Sequence, residues 1–273
     1  QKLIFFGSSP FSVIVLEKLL NVQGLTLYAV ITAPDKPVGR GLKLTPNPVK
    51  VLAQKLNIPV FETMNDYCMT MNDHRMTIGL VAAYGKIIPQ EVLAKFKGQI
   101  YNIHPSLLPK YRGPSPLQQQ ILDDVTETGV TIIQLDKLMD HGPIVDQEKD
   151  KLLTDDTAQT LGARLFSKGT QLFLNCQLST VNCQPQPQNE ADATYTKLLT
   201  RQDGFVPWEN FRSQMLNPRS LDQKFRALTP WPGIWTTTPQ GERVKLVSLD
   251  TPTVQLQNRS PLPWQQLHFA HRL

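Results

Sequence analysis

Short apolar runs of strand length alternate with amphipathic stretches of helical spacing through the first two thirds of the chain. This rhythm limits the available folds more than any other feature. Residues 3–7 read as a buried strand, residues 12–20 space Ile14, Leu16, Leu19 and Leu20 as on a helix behind a Ser9 or Ser12 cap, and residues 25–32 read as the next strand. The alternation continues with a helix at 48–56, a short strand at 59–61, an apolar strand at 77–83, a short helix at 91–94 and a β-like segment at 99–101. Strands at 130–135 and 144–147 and a long helix at 157–178, capped by Thr154 or Asp155, complete it. Strands and helices in this order predict an α/β fold, a doubly wound, mostly parallel sheet of Rossmann-like type with helices on both faces.

The pattern then changes. Gln184-Pro185-Gln186-Pro187-Gln188-Asn189 has two prolines and few apolar anchors, and reads as a linker or an extended crossing. A helix over 219–227 and β-like alternation at 235–238, 244–249 and 253–256 follow, separated by Gly, Pro and Asn turns. The sequence therefore predicts an α/β domain over 1–183, a linker over 184–200 and a small β-rich, barrel-like domain over 201–273. A length of 273 residues suits two domains of about 100–200 residues.

Composition excludes several classes. No run approaches the roughly 20 apolar residues of a membrane helix, and the opening residues lack the long apolar core of a signal peptide. Cys68, Cys176 and Cys183 are scattered, form no CxxC pair and supply no zinc set, so no metal is expected. They argue for a reducing compartment, the cytoplasm or, in a sequence that opens on Gln1 rather than Met, an organelle matrix. A net charge of +5 permits a nucleic-acid partner without requiring one.

Chemistry concentrates in Asn102-Ile103-His104-Pro105-Ser106-Leu107-Leu108-Pro109-Lys110-Tyr111-Arg112-Gly113. Side chains alternate along a strand, so Asn102 and His104 point the same way. An amide donor beside a group that titrates near neutrality suits acyl chemistry. Asp140 lies in a second motif, Asp140-His141-Gly142-Pro143, after a strand. Functional groups gather at the carboxyl ends of parallel strands, which is where Asn102, His104 and Asp140 are expected to meet. His141 reads as a loop neighbour of Asp140.

The order Asn-x-His-x-Ser-Leu-Leu-Pro followed by Asp-x-Gly resembles the core motifs of the 10-formyltetrahydrofolate-dependent formyltransferases. The resemblance implies that Asn102, His104 and Asp140 are the catalytic trio. It also implies that 10-formyltetrahydrofolate is the co-substrate, held by Ser106, Leu107, Leu108 and Pro109 and by the segment of Ala82, Tyr84 and Ile88. For Ala82 an ordinary core role is as good a reading.

Two further stretches bear on the acceptor. Residues 33–50 form a loop with Gly hinges that carries Lys36, Arg40, Lys43 and Lys50, a composition suited to a phosphate backbone. Arg226-Ala227-Leu228-Thr229-Pro230-Trp231-Pro232-Gly233-Ile234-Trp235 resembles the junction into the C-terminal OB-type barrel of family members that act on tRNA. Trp231 and Trp235 also read as core anchors. From residue 201 onward nine Lys and Arg face five Asp and Glu, a modest basic excess compatible with RNA contact. The β pattern ends soon after Trp264, shorter than the resemblance implies. These features imply initiator methionyl-tRNA as partner, with Lys36, Arg40 and Lys43 contacting it, and a monomer. An acceptor such as an amino sugar would need the trio but not the basic loop. An RNA-binding module with a lost active site would not need the trio.

Overall fold

The computed structural model describes residues 1–38, 41–63, 66–67, 77–178 and 183–271. Contacts gather the chain into two units. The first holds residues 1–116, 127–151 and 161–196, and the second holds 117–126, 152–160 and 197–273.

Through residue 178 the order is β1 (Lys2–Phe6), α1 (Pro10–Leu19), β2 (Thr26–Ile31), β3 (Lys36–Val38), β4 (Lys43–Thr45), α2 (Pro48–Lys55), β5 (Val60–Phe61), β6 (Thr77–Val81), α3 (Gln90–Lys95), β7 (Ile100–His104), α4 (Pro116–Leu122), β8 (Glu127–Gln134), β9 (Ile144–Lys151) and α5 (Ala158–Leu178). Helix α1 starts where the sequence placed its cap. Extended Ser9 accepts from the Ser12 amide, Ser12 Oγ accepts from the Ser9 amide, and Pro10 fills the first helical turn. Helix α5 is capped differently from the prediction. Thr157 Oγ1 accepts from the Thr160 amide at 3.1 Å and Thr160 Oγ1 accepts from the Thr157 amide at 2.9 Å, so neither Thr154 nor Asp155 caps it.

The first unit is built on a seven-stranded sheet in the order β5-β2-β1-β6-β7-β8-β9. Strands β5, β2, β1, β6 and β7 run parallel, and among the described residues α1, α2 and α3 carry the chain back before β2, β5 and β7. Strands β8 and β9 add antiparallel. On β7, Ile100, Asn102 and His104 share one face, and Tyr101 and Ile103 the other. Helix α5 covers the second face, with the Phe173 ring 5.8 Å from Tyr101. On the first face, Ile100 joins Ile4, Phe6, Ala29, Ile31 and Val81 in a buried cluster closed by Tyr84, Ile88, Val92 and Phe96. Burying each such side chain contributes about 1.5–3 kcal/mol. The apolar cover ends at Ile100, and the polar pair of β7 continues the same face beyond it.

The basic stretch contains a hairpin: β3 and β4 pair antiparallel, with Lys36 opposite Thr45 and Val38 opposite Lys43. The Pro-Gln stretch is an extended crossing. Gln186 and Ile144 exchange both backbone hydrogen bonds at 2.7 Å, and Arg112 bonds to Thr194 and Thr196.

The second unit contains most of α4, then α6 (Trp208–Leu216), α7 (Asp222–Leu228), an antiparallel meander of β10 (Trp235–Thr237), β11 (Arg243–Ser248), β12 (Thr253–Leu256) and β13 (Leu262–Pro263), and α8 (Trp264–His271). Val244, Leu246, Val254 and Leu256 alternate into a core with Trp208, Phe211 and Leu267. The aromatic anchors are Trp208 and Trp264, whose ring centroids lie 6.0 Å apart. Trp231 is 53% exposed and anchors no core, contrary to the sequence reading. Trp235 is half-buried, donates to the Arg201 carbonyl and lies beneath the Arg243 guanidinium. Among the described residues no helix is long and apolar enough to cross a membrane.

Candidate active site

Strand β7 presents Asn102 and His104 on one face, and both reach the same oxygen. Asn102 Nδ2 donates to Asp140 Oδ1 at 3.3 Å, and His104 Nδ1 lies 3.6 Å from that oxygen. Asp140 Oδ2 accepts the Gly113 amide at 2.8 Å. The carboxylate is thus held through both oxygens. The His104 side chain is 4% exposed and that of Asp140 15%.

The three residues meet by a different route from the one expected. Strand β8 is antiparallel to β7, with Gln134 opposite Tyr101 and Thr131 opposite His104. Its carboxyl end therefore lies at the start of β7, not beside His104. The loop 135–143 turns back over the face of β7 to deliver Asp140. Asp140 takes a left-handed backbone (φ 50°), and Gly142 passes so near β8 that a Cβ there would stand 1.8 Å from the Gln134 carbonyl oxygen.

His104 is held from its other side, since its Nε2 lies 2.9 Å from the Tyr111 carbonyl oxygen. A carbonyl only accepts, so Nε2 carries the hydrogen and Nδ1 is the nitrogen facing Asp140. The sequence reading gave the Tyr111 carbonyl and the Gly113 amide no role of their own, although both lie in the stretch that opens on Asn102. Gly113 adopts φ 109°, and a Cβ there would stand 2.7 Å from the Thr196 carbonyl oxygen.

The expected folate residues flank this pair. Tyr84 and Ile88 are buried with Val81 on the face that carries Asn102 and His104, and burial pushes the Tyr84 hydroxyl pKa up. Ala82 donates to the Phe6 carbonyl and accepts from Ser12 Oγ, so its backbone serves the strand edge. Ser106 Oγ donates to the Lys110 carbonyl at 2.7 Å. Thr131 Oγ1 donates to the Ser106 carbonyl and accepts from the Leu108 amide, while Gln147 donates to the Leu108 carbonyl. Leu107 is half-buried, and the Pro109 carbonyl accepts from Thr194 at 3.3 Å. Ser106 and Leu108 therefore shape this loop with polar groups bonded inside the protein.

Lys36 and Lys43 stand exposed on the β3–β4 hairpin. Arg40 lies outside the described residues. Lys50 is bound to Asp35 at 2.7 Å and to Glu62, and those hydrogen bonds, Asp35 first, raise its pKa. His141 is more than a loop neighbour. Its Nδ1 donates to Asp136 Oδ2 at 2.6 Å and its Nε2 lies 3.4 Å from Glu190.

Residues 1–176 match the family pattern described as formyl transferase. The chain is 39% identical over 253 residues to the methionyl-tRNA formyltransferase of Roseiflexus castenholzii, covering 90% of this chain and 79% of that one. Solved structures share the fold. The methionyl-tRNA formyltransferase of Clostridium thermocellum has a TM-score of 0.59 at 15% identity over 96% of each chain. A sugar N-formyltransferase of Shewanella sp. has a TM-score of 0.65 at 17% identity over 91% of this chain and 97% of that one. At these identities the structures speak to fold alone, while the matching sequence extends past residue 176 into the second unit. This chain belongs to the methionyl-tRNA formyltransferase family.

Proposed function

We propose that this protein transfers the formyl group of 10-formyltetrahydrofolate to the α-amino group of methionine esterified to initiator tRNA. The convergence of Asn102 and His104 on the doubly held carboxylate of Asp140 carries this reading.

The formyl donor is consumed as substrate. Attack by the amine forms a C–N bond at the formyl carbon, breaks the bond from that carbon to the folate nitrogen and moves negative charge onto the formyl oxygen. Asn102 is half-buried and its Nδ2 hydrogen not pointed at Asp140 is the donor for that oxygen. One such donor is worth about 10²–10³ in rate. The amine loses a proton as the bond forms. Asp140 Oδ1 and His104 Nδ1 lie together and accept it, and the imidazole returns a proton to the departing nitrogen. Tyr111 and Gly113 keep the two acceptors in place throughout.

Buried Val81, Tyr84 and Ile88 adjoin this polar pair on one face. They fit a flat, partly apolar donor such as a pterin, with the 106–109 loop as its second wall. Ser106, Leu108 and Ala82 act there through shape. Exposed Lys36 and Lys43, together with Arg40 of the same basic stretch of sequence, suit the sugar-phosphate backbone of the tRNA acceptor.

The assay is direct. The protein is incubated with 10-formyltetrahydrofolate labelled in the formyl group and, in separate tubes, methionyl initiator tRNA, free methionine or a nucleotide-linked amino sugar. Label is expected on the tRNA-bound methionine. Label on the amino sugar with none on the tRNA overturns the acceptor assignment.

A further inference from the structure

The loop that carries Asp140 is gripped from the side away from His104. Arg112 is fully buried. It donates to Gln188 Oε1 through Nε at 3.0 Å and Nη2 at 2.7 Å, to Glu190 through Nη1 at 3.0 Å and Nη2 at 2.6 Å, and to the Tyr195 hydroxyl at 2.9 Å. A guanidinium has donors and no acceptor, so the oxygen of Gln188 must face it. The Gln188 amide nitrogen consequently faces the other way, and donates to the carbonyls of Asp140 and Gly142 at 2.8 Å each.

Those two carbonyls bracket the turn that bends the loop back over β7. Asp140 sits at φ 50° there, a strained conformation for a non-glycine residue that persists only where neighbours impose it. We propose that Arg112 and Gln188 are positioning residues. Arg112 orients Gln188, and Gln188 fixes the Asp140 carboxylate against Asn102 and His104. This rests on the formyl-transfer reading and adds to it a link between residues 76 positions apart. The alternative role for Arg112 and Gln188 is to anchor the 184–196 crossing with no bearing on the chemistry.

Gln188→Glu separates the two roles. Its carboxylate still accepts from Arg112 and adds an opposite charge, but it cannot donate to the two carbonyls. The fold is expected to persist at the assay temperature with a lowered melting point, because two carbonyls lose their donor, while kcat for formyl transfer falls about 10- to 100-fold and KM for both substrates stays within about twofold. In an Asp140→Ala background the same substitution is expected to change kcat less than about twofold, because no carboxylate remains to be positioned. The Asn102 side-chain amide resonances, followed by NMR, are expected to move in Gln188→Glu relative to wild type and to stay in place when Asp140 is already Ala. A variant with wild-type kcat and unmoved Asn102 resonances overturns the inference, as does an equal slowing with and without Asp140. If wild type itself forms no formyl-methionyl-tRNA, the functional reading fails, and the Asn102 resonances still decide the positioning claim.

Discussion

The Nε2 of His104 lies 2.9 Å from the carbonyl oxygen of Tyr111, and this contact decides which imidazole nitrogen faces Asp140. The hydrogen belongs on Nε2, which leaves Nδ1 beside Asp140 as the nitrogen proposed to exchange a proton. A glutamine amide reaches the Nε2 position and has nothing at Nδ1. His104→Gln is expected to keep the Tyr111 bond and to melt within a few degrees of wild type, while kcat falls about 10²-fold or more. Steady-state formylation and a thermal melt check both, and turnover near wild type assigns the working nitrogen to Nε2 instead.

Asn102 is proposed to donate to the developing negative charge. Asn102→Ala is expected to lower kcat about 10²–10³-fold, a loss of roughly 3–4 kcal/mol in transition-state stabilisation, with KM little changed. A rise in KM with kcat intact would mark Asn102 as a binding group.

Gly142→Ala tests the loop geometry. A Cβ there meets the Gln134 carbonyl at 1.8 Å, and backbone oxygen on a central ladder has little room to yield. Overpacking of this kind costs about 1–3 kcal/mol or more. Denaturant unfolding is expected to show that loss together with a drop in turnover, since the displaced loop carries Asp140. An unperturbed unfolding midpoint would contradict the described turn.

The Arg112 cluster predicts a pH dependence. The hydrogen bonds from Arg112, before the attraction of its charge and that of His141, hold the Glu190 carboxyl below its ordinary 4.5. A lowered carboxylate pKa adds stability that is present above about pH 4.5 and lost as pH falls through the lower, folded-state value. The melting temperature of wild type is expected to exceed that of Glu190→Gln above this range, and the gap to close on acidification. A gap independent of pH would show that the charge on Glu190 contributes nothing.

Exposed Lys36 and Lys43 are expected to act on tRNA and not on chemistry. Replacing both by Ala should raise KM for tRNA and reduce the slope of log affinity against log salt by about 1.5, with kcat at saturation within a few-fold. An unchanged salt slope would remove the hairpin from the tRNA contact.

The sheet and the shared face of Asn102 and His104 were legible because both follow from periodicity, while the addition of Asp140 to them rested on the resemblance. Alternation put Asn102 and His104 on one face, and the strand-helix rhythm gave β1, β2 and β6 within a residue or two. The path of Asp140 was not legible, because nothing in residues 127–151 announces antiparallel pairing. The Gln188 link was hidden for another reason. An extended Pro-Gln segment has no apolar pattern, so its register against Arg112 depends on tertiary contacts alone. The three-residue strands β3 and β4 are too short for alternation to stand out. Lys50 counted as a loop cation until the structure paired it with Asp35 and Glu62. Likewise Trp231 and Trp208 are the same residue type, and only packing distinguishes the exposed ring from the anchor.

The central claim is that one carboxylate, shared by Asn102 and His104, drives formyl transfer to methionyl-tRNA. The most direct measurement is the single-turnover rate of formyl-methionyl-tRNA formation by wild type and Asp140→Ala, with tRNA affinity measured in parallel. Product is expected with wild type, with a rate at least about 10²-fold lower in the variant and equal tRNA affinity. A variant that transfers the formyl group at the wild-type rate would contradict it.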